Sequence, residues 1–207
     1  MKMKIKICGI TNEEDALICE KLGVDYLGFI FYPKSKRFIN YQKVKKIIQK
    51  LNENTNKVGV FVDTKVEEIN DIAREIGLTH VQLHGNEHPD EIKEIDFPVI
   101  KAISGNNENI EQEIENFANA DLILLDSITT YEKGGTGKTF NWLNIKNIKN
   151  KSKIVLSGGL NEGNIVKAIN ETNIEFFDIC SGVEERPGLK NIKKLETIVE
   201  LIRNEKQ

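Results

Sequence analysis

The sequence predicts an α/β protein that folds as a single-domain (β/α)8 TIM barrel over residues 1–207. Short β-branched or aromatic runs recur eight times, and the segments between them have apolar residues at i, i+3 and i+4. Spread over eight units, 207 residues give about 26 each, close to the roughly 30 of a compact βα repeat. An open doubly wound sheet is the alternative, but it more often uses about five or six strands. The predicted strands are Lys4–Cys8, Tyr26–Phe31, Lys57–Val62, His80–Leu83, Val99–Ala102, Leu122–Asp126, Lys153–Leu156 and Phe176–Ile179.

The segments between the strands carry helical signals. One helix is expected after the third strand, with Thr64 as its N-cap, Gly77 as its stop and an apolar stripe of Val66, Ile69, Ile72, Ala73 and Ile76. The last helix repeats the stripe with Ile192, Leu195, Ile198, Val199 and Ile202. A barrel of this length requires short helices and trimmed loops.

Composition excludes several classes of protein. Lys and Arg total 29 against 32 Asp and Glu, a net charge of -3, so no global basic field attracts nucleic acid or acidic lipid. Apolar runs fall far short of the roughly 20 residues of a membrane span, and the first residues lack a secretory pattern, so a cytosolic location is expected. The three cysteines, Cys8, Cys19 and Cys180, lack zinc-site spacing and are expected to be reduced thiols.

Two titratable side chains end predicted strands, where barrel proteins place their chemistry. Cys8 ends the first strand and is a candidate base or nucleophile, whereas Cys19, on a helix stripe, is expected to be a buried small hydrophobe. Asp126 follows four apolar residues of the sixth strand, and its alternative role is to cap the next turn. Both could address one substrate from different parts of the rim.

Three further segments are suited to binding anions. Arg37, in a basic loop after the second strand, has the planar fork that fits a carboxylate, although such loops are often merely solvated. Gly158 and Gly159 follow the seventh strand, and Ser181 and Gly182 follow the eighth. Backbone N–H groups in such turns can converge on a phosphate, and plain turns are the alternative.

His84 ends the fourth strand, where a positioning hydrogen bond and a purely structural role are both open. Its neighbour His88 is expected at a helix start, so no metal site is predicted. The run Gly134–Thr139 suggests a P-loop, but Glu132 stands where that motif needs a glycine, and the run does not directly follow a strand. A glycine-rich loop over the site, with Lys138 touching ligand, is the preferred interpretation.

Taken in order, these fragments resemble phosphoribosylanthranilate isomerase, a barrel enzyme of tryptophan biosynthesis. Each match is weak alone, but as a collinear series spanning nearly the whole chain they are highly specific. The matching segments are Lys6–Thr11, Gly28–Phe31, Ser35–Arg37, Val58–Phe61, Gln82–Gly85, Leu124–Asp126, Gly134–Gly137, Ser157–Leu160 and Ser181–Glu184.

The resemblance implies a cofactor-free Amadori rearrangement of a phosphorylated small molecule, N-(5'-phosphoribosyl)anthranilate. By similarity, Cys8 is the general base and Asp126 the general acid, which should therefore be partly desolvated. Arg37 holds the anthranilate carboxylate, and the two glycine turns hold the phosphate. Neither a metal nor a macromolecular partner is implied, and both a monomer and a homodimer remain open.

Three positions depart from the family pattern: Asn141 and Asn191 where Asp is usual, and Cys180 where Ser often stands. Since Asn can replace Asp as a cap, only local turns are affected. The nearest rival function is the aminoaldose isomerase of histidine biosynthesis, whose family uses an aspartate where this chain has Cys8. A non-catalytic phosphate-binding module and a nucleotide hydrolase are the alternatives from other classes.

Overall fold

The computed structural model describes residues 2–127, 139–146, 148 and 150–205. Eight parallel strands form a closed barrel in chain order, so the predicted fold class is confirmed. All eight predicted strands are present, with ends that shift by one or two residues. They are β1 (Lys4–Cys8), β2 (Tyr26–Ile30), β3 (Asn56–Phe61), β4 (His80–Leu83), β5 (Val99–Ser104), β6 (Leu122–Asp126), β7 (Ile154–Leu156) and β8 (Phe176–Ile179).

The first and last strands close the barrel by pairing with each other. Ile7 of β1 pairs with Ile179 of β8, so the residues that follow, Cys8 and Cys180, lie side by side at the carboxyl edge. On the other side, Cys8 pairs with Gly28 of β2. Closure therefore brings the first and last strands together at the edge of the barrel where the sequence predicts chemistry.

The helices that cover the barrel are short, as its length requires. They are α1 (Glu13–Lys21), α2 (Tyr41–Ile48), α3 (Val66–Ile76), α4 (Ile110–Asn116), α5 (Ile165–Thr172) and α6 (Ile192–Asn204). A 3-10 helix, Pro89–Glu94, replaces the α-helix between β4 and β5, and His88 caps its start as expected. After β8 come a 3-10 turn, Ser181–Val183, and a small antiparallel hairpin of β9 (Glu184–Arg186) and β10 (Leu189–Lys190).

The predicted start of α3 is wrong by one residue. Lys65 occupies the N-cap without a side-chain cap bond, while the Thr64 hydroxyl donates to the carbonyl of Val62. Asp63 has a positive φ of 49°. The turn at this residue places the N-cap of α3 one residue later than predicted. The predicted stop is confirmed, since Gly77 ends α3 in the left-handed conformation.

The caps affected by the departures from the family pattern are intact. Asn191 accepts a hydrogen bond from the Lys194 amide at 3.2 Å, and Asn141 accepts one from the Leu143 amide at 3.1 Å. Asparagine therefore serves as the cap at both positions. The stripe of α6 is confirmed from Leu195 onward, but Ile192, in the first turn, is 45% exposed.

Apolar side chains form two cores. One core lies between the strands and the helices, and Ile5, Ile7 and Cys19 belong to it. The other fills the barrel interior and consists of Tyr26, Val58, Ile100, Ala102, Leu124, Val155 and Phe176. These side chains come from the starts and middles of the strands. Polar side chains therefore occupy the barrel interior at the carboxyl ends of the strands.

Within the described residues, no helix combines the length and apolar character needed to cross a bilayer.

Candidate active site

A cavity opens at the carboxyl ends of the strands. Four of the predicted site residues, Cys8, Arg37, His84 and Asp126, line it together. Its position is where barrel enzymes bind substrate. The remaining lining residues are Ile30, Tyr32, Ser35, Val60, Val62, Gln82, Ser157, Asp178 and Cys180.

Cys8 has a thiol that is more acidic than an ordinary cysteine. Its pKa is lowered from 9.0 to about 7, chiefly because the Cys180 thiol donates a hydrogen bond to the Cys8 sulfur. Burial opposes this shift, and the positive charges of Lys6 and Lys190 support it. The second thiol therefore lowers this pKa more than either lysine does. About half of Cys8 is therefore thiolate at neutral pH.

Below Cys8, a buried ion pair spans the seam between β1 and β8. The Lys6 Nζ lies 3.0 Å from Asp178 Oδ1, and both side chains are almost fully buried. Burial disfavours the charge on Lys6, but Asp178 and the Cys8 thiolate outweigh burial and raise the pKa of Lys6. Burial raises the pKa of Asp178, and the contact with Lys6 limits that rise. The floor of the cavity thus carries a fixed positive charge beside the Cys8 sulfur.

Asp126 lies across the cavity and is only 6% exposed, as the sequence predicted for a desolvated acid. Its Oδ1 accepts hydrogen bonds from the Ser127 amide at 2.6 Å and the Ser127 hydroxyl at 3.3 Å. Its Oδ2 lies 3.5 Å from His84 Nε2. The serine therefore fixes one carboxylate oxygen and leaves the other beside the histidine.

His84 is held as a neutral imidazole. Burial lowers its pKa, and the Gln82 amide lies 2.9 Å from Nδ1. If the Gln82 NH₂ group donates this bond, the imidazole proton is on Nε2. Among the described residues, three buried side-chain polar atoms have no hydrogen-bond partner, and two of them, His84 Nε2 and Gln82 Oε1, belong to residues that line this cavity. Unpaired buried polar atoms are costly, and a ligand in this cavity would supply their partners.

Arg37 reaches the cavity wall from the loop after β2, but its fork already binds a carboxylate. Glu184 accepts from Arg37 Nε at 2.8 Å and from Nη2 at 2.7 Å. Glu184 also lies 3.1 Å from the Lys190 ammonium. Burial opposes ionisation of Glu184, but hydrogen bonds from Arg37 and the charge of Lys190 hold its pKa below the usual value. The ion pair orients Arg37 and leaves its Nη1 for a ligand.

The predicted glycine turns lie beside the cavity rather than in its lining. Gly158 and Gly159 both have positive φ, 84° and 65°, which glycine adopts without strain. Gly182 packs so closely on the loop after β7 that an added Cβ would overlap the Leu160 carbonyl oxygen. Ser181 begins the 3-10 turn after β8 and directly precedes Gly182. The turn after β8 therefore packs against the turn after β7. The run Gly134–Lys138, predicted to cover the site, lies outside the described residues.

Sequence reasoning missed four charged residues of the site: Lys6, Asp178, Glu184 and Lys190. Lys6 and Asp178 stand between apolar residues of β1 and β8, and a charged residue in such a position is the signal that was available. Glu184 and Lys190 follow the last strand and have no comparable signal. Cys180 was noted only as a departure from the family pattern.

Comparisons with known proteins agree on one family. The family model described as "N-(5'phosphoribosyl)anthranilate (PRA) isomerase" matches residues 5–201. An N-(5'-phosphoribosyl)anthranilate isomerase of Bacillus cereus is 41% identical over 197 residues, which are 94% of this chain and 96% of that protein. The match therefore runs from β1 into α6.

Solved structures give the same result. The structure of a dimeric phosphoribosylanthranilate isomerase from Thermotoga maritima, solved as monomers, has a TM-score of 0.85 and 37% identity, covering 97% of this chain and 98% of that one. A phosphoribosylanthranilate isomerase in complex with reduced 1-(o-carboxyphenylamino)-1-deoxyribulose 5-phosphate has a TM-score of 0.84 and 36% identity, with the same coverage. The chain belongs to the N-(5'-phosphoribosyl)anthranilate isomerase family.

Proposed function

We propose that this cavity converts N-(5'-phosphoribosyl)anthranilate into 1-(2-carboxyphenylamino)-1-deoxyribulose 5-phosphate, a step of tryptophan biosynthesis. The observation that carries the proposal is that an acidified thiol on β1 and a buried carboxyl group on β6 line one cavity. The reaction is an internal redox rearrangement of the sugar, so its electrons balance without a cofactor. It requires an acid and a base placed around one pentose.

Asp126 acts as the general acid. It gives a proton to the furanose ring oxygen, the C1–O bond breaks, and the nitrogen lone pair forms an iminium at C1. Because Ser127 engages Oδ1, the proton is delivered from Oδ2, the oxygen beside His84. The neutral imidazole can hydrogen-bond that oxygen once the proton has left, which stabilises the carboxylate.

Cys8 acts as the general base. The iminium acidifies the C2–H bond, and the Cys8 thiolate removes this proton to give an enolamine. The enol then loses its O–H proton and C1 gains one, which yields the ketone. A base with a pKa of about 7 suits this step, since at neutral pH it is partly ionised yet still basic.

The remaining predicted residues bind the ends of the substrate. In this proposal, Nη1 of Arg37 binds the anthranilate carboxylate while Glu184 holds the rest of the guanidinium. The turns at Gly158–Gly159 and Ser181–Gly182 receive the phosphate with backbone N–H groups. His84 Nε2 and Gln82 Oε1, the two unpaired buried atoms of the described cavity residues, take hydroxyl groups of the sugar. The substrate is a free small molecule of the cytosol, and the enzyme works as a monomer or a homodimer.

The test is loss of anthranilate fluorescence when the pure protein meets freshly generated N-(5'-phosphoribosyl)anthranilate. We expect turnover with this substrate and none with the aminoaldose phosphate of histidine biosynthesis assayed in parallel. Cys8→Ala should lower kcat by about 10²–10⁴-fold, and Cys19→Ala, which removes a matched thiol in the shell core, should leave it unchanged. Binding without turnover by the intact protein would favour a non-catalytic phosphate-binding module and would overturn the proposal.

A further inference from the structure

Two thiols of the cavity lie next to each other where the first and last strands end. Ile7 of β1 pairs with Ile179 of β8; Cys8 is the last residue of β1, and Cys180 directly follows β8. Paired strands lie about 4.7–4.9 Å apart, and a disulfide requires roughly 4.4–6.8 Å between Cα atoms. Both side chains line the same cavity. The register of the two strands therefore places the two thiols within reach of a disulfide.

A lysine holds the backbone of both cysteines in place. Lys190 Nζ donates to the carbonyl of Cys8 at 2.6 Å and to that of Cys180 at 3.2 Å, so a single ammonium holds both strand ends. The Cys180 sulfur lies against Gly9, where an added Cβ would be 3.1 Å away. It therefore sits beside the backbone that follows Cys8 and faces the same space.

The cavity also supplies what an oxidation site needs. Cys8 and Cys180 both line the open space above the barrel, so a small molecule that enters the cavity reaches them. Lys6 and Lys190 place positive charge near the Cys8 sulfur and favour its thiolate, which is the form that reacts with peroxides. Cys19 differs in each respect: it is fully buried in the shell core, and burial raises its pKa to about 12.

We propose that Cys8 and Cys180 form a peroxide-reactive modification site that closes as a disulfide. The Cys8 thiolate attacks one oxygen of hydrogen peroxide, the O–O bond breaks, and Cys8 becomes a sulfenic acid while hydroxide leaves and is protonated to water. The Cys180 sulfur then attacks the Cys8 sulfur, the S–OH bond breaks, and a second water leaves. Two thiols are oxidised and one peroxide is reduced to two waters.

The modification goes beyond the proposed function, and disulfide formation does not depend on Cys8 being a catalytic base. If Cys8 is that base, the disulfide removes the thiolate and stops turnover until a dithiol reduces it. Cys180 has a protective role in this scheme, because it traps the sulfenic acid before further peroxide converts it irreversibly.

The experiment treats the reduced full-length protein with hydrogen peroxide, then measures intact mass, free thiols after denaturation and peptide linkage. We expect a mass loss of about 2 Da, a fall from three thiols to one, and a linkage between the peptides that contain Cys8 and Cys180. Dithiothreitol should restore all three thiols. Cys19→Ser should form the same disulfide. Because this variant starts with two thiols, it should have no free thiol left.

The near-isosteric variant Cys180→Ser is the matched control. Its circular dichroism checks that it is folded, and we expect it to gain oxygen at Cys8 without losing hydrogen. Under excess peroxide, dithiothreitol should no longer restore its Cys8 thiol. A linkage that involves Cys19, crosslinked dimers only, or oxygenation of Cys8 in the parent protein without a disulfide would each overturn the proposal. These readouts do not use substrate, so their failure is separate from failure of the isomerase proposal.

Discussion

Replacing Cys180 by alanine should shift the pH dependence of catalysis, because its thiol is the largest cause of the low Cys8 pKa. Burial raises this pKa and two lysines lower it, so without the Cys180 hydrogen bond it should return toward its ordinary 9.0 from about 7. A full return to 9.0 would lower the thiolate fraction at pH 7 from about one half to about 1%, so kcat/KM at this pH should fall by up to about 50-fold.

The assay is kcat/KM measured by fluorescence from about pH 6 to about pH 10, with substrate generated in the cuvette. The parent protein should lose activity as pH falls through about 7, because the base becomes protonated, and Cys180→Ala should lose it near 9. Above about pH 9 the kcat/KM values of the parent protein and of Cys180→Ala should converge. Cys180→Ser keeps a hydrogen-bond donor beside Cys8, so it should lose activity near pH 7, as the parent protein does. An unchanged limb in Cys180→Ala, or an equal loss at every pH, would refute the reasoning.

Four other substitutions separate catalysis, binding and stability. Cys8→Ala and Asp126→Asn should each lower kcat by about 10²–10⁴-fold with an unchanged unfolding midpoint, since each removes one proton-transfer group; near-normal kcat would remove the assigned role. Arg37→Ala should chiefly raise KM, because it removes a contact to a carboxylate that does not react; a pure kcat defect would contradict this. Gly182→Ala should lower the free energy of unfolding by about 1–3 kcal/mol in a urea titration, because the new methyl group overlaps the Leu160 carbonyl; unchanged stability would show that the turn can shift.

The positions of Cys8 and Asp126 could be predicted because they depend on local pattern. Each ends an apolar strand, and in an alternating chain every strand end faces the same side of the barrel. That reasoning needs only the strand boundaries, which periodicity gives to within one or two residues. The expected desolvation of Asp126 followed from the same position and is confirmed by its burial.

The partners of these residues could not be predicted, because they depend on how the barrel closes. Lys6 and Asp178 are 172 residues apart and meet only through the register of β1 with β8. The ion pair between Arg37 and Glu184 likewise joins the loop after β2 to the hairpin after β8, and the two residues are 147 positions apart. No local pattern encodes such pairs. The wrong cap at Thr64 has a local cause instead: the left-handed turn at Asp63 competes with the helix start.

The ammonium of Lys190 ties the first and last strands of the ring together, because it donates to the carbonyls of both Cys8 and Cys180. Cys180 and Lys190 follow β7 in the sequence, so the part of the chain from β1 to β7 contains Cys8 without that thiol and that ammonium, which lower its pKa. The acidity of Cys8 is therefore a property of the closed barrel and not of its first strand alone.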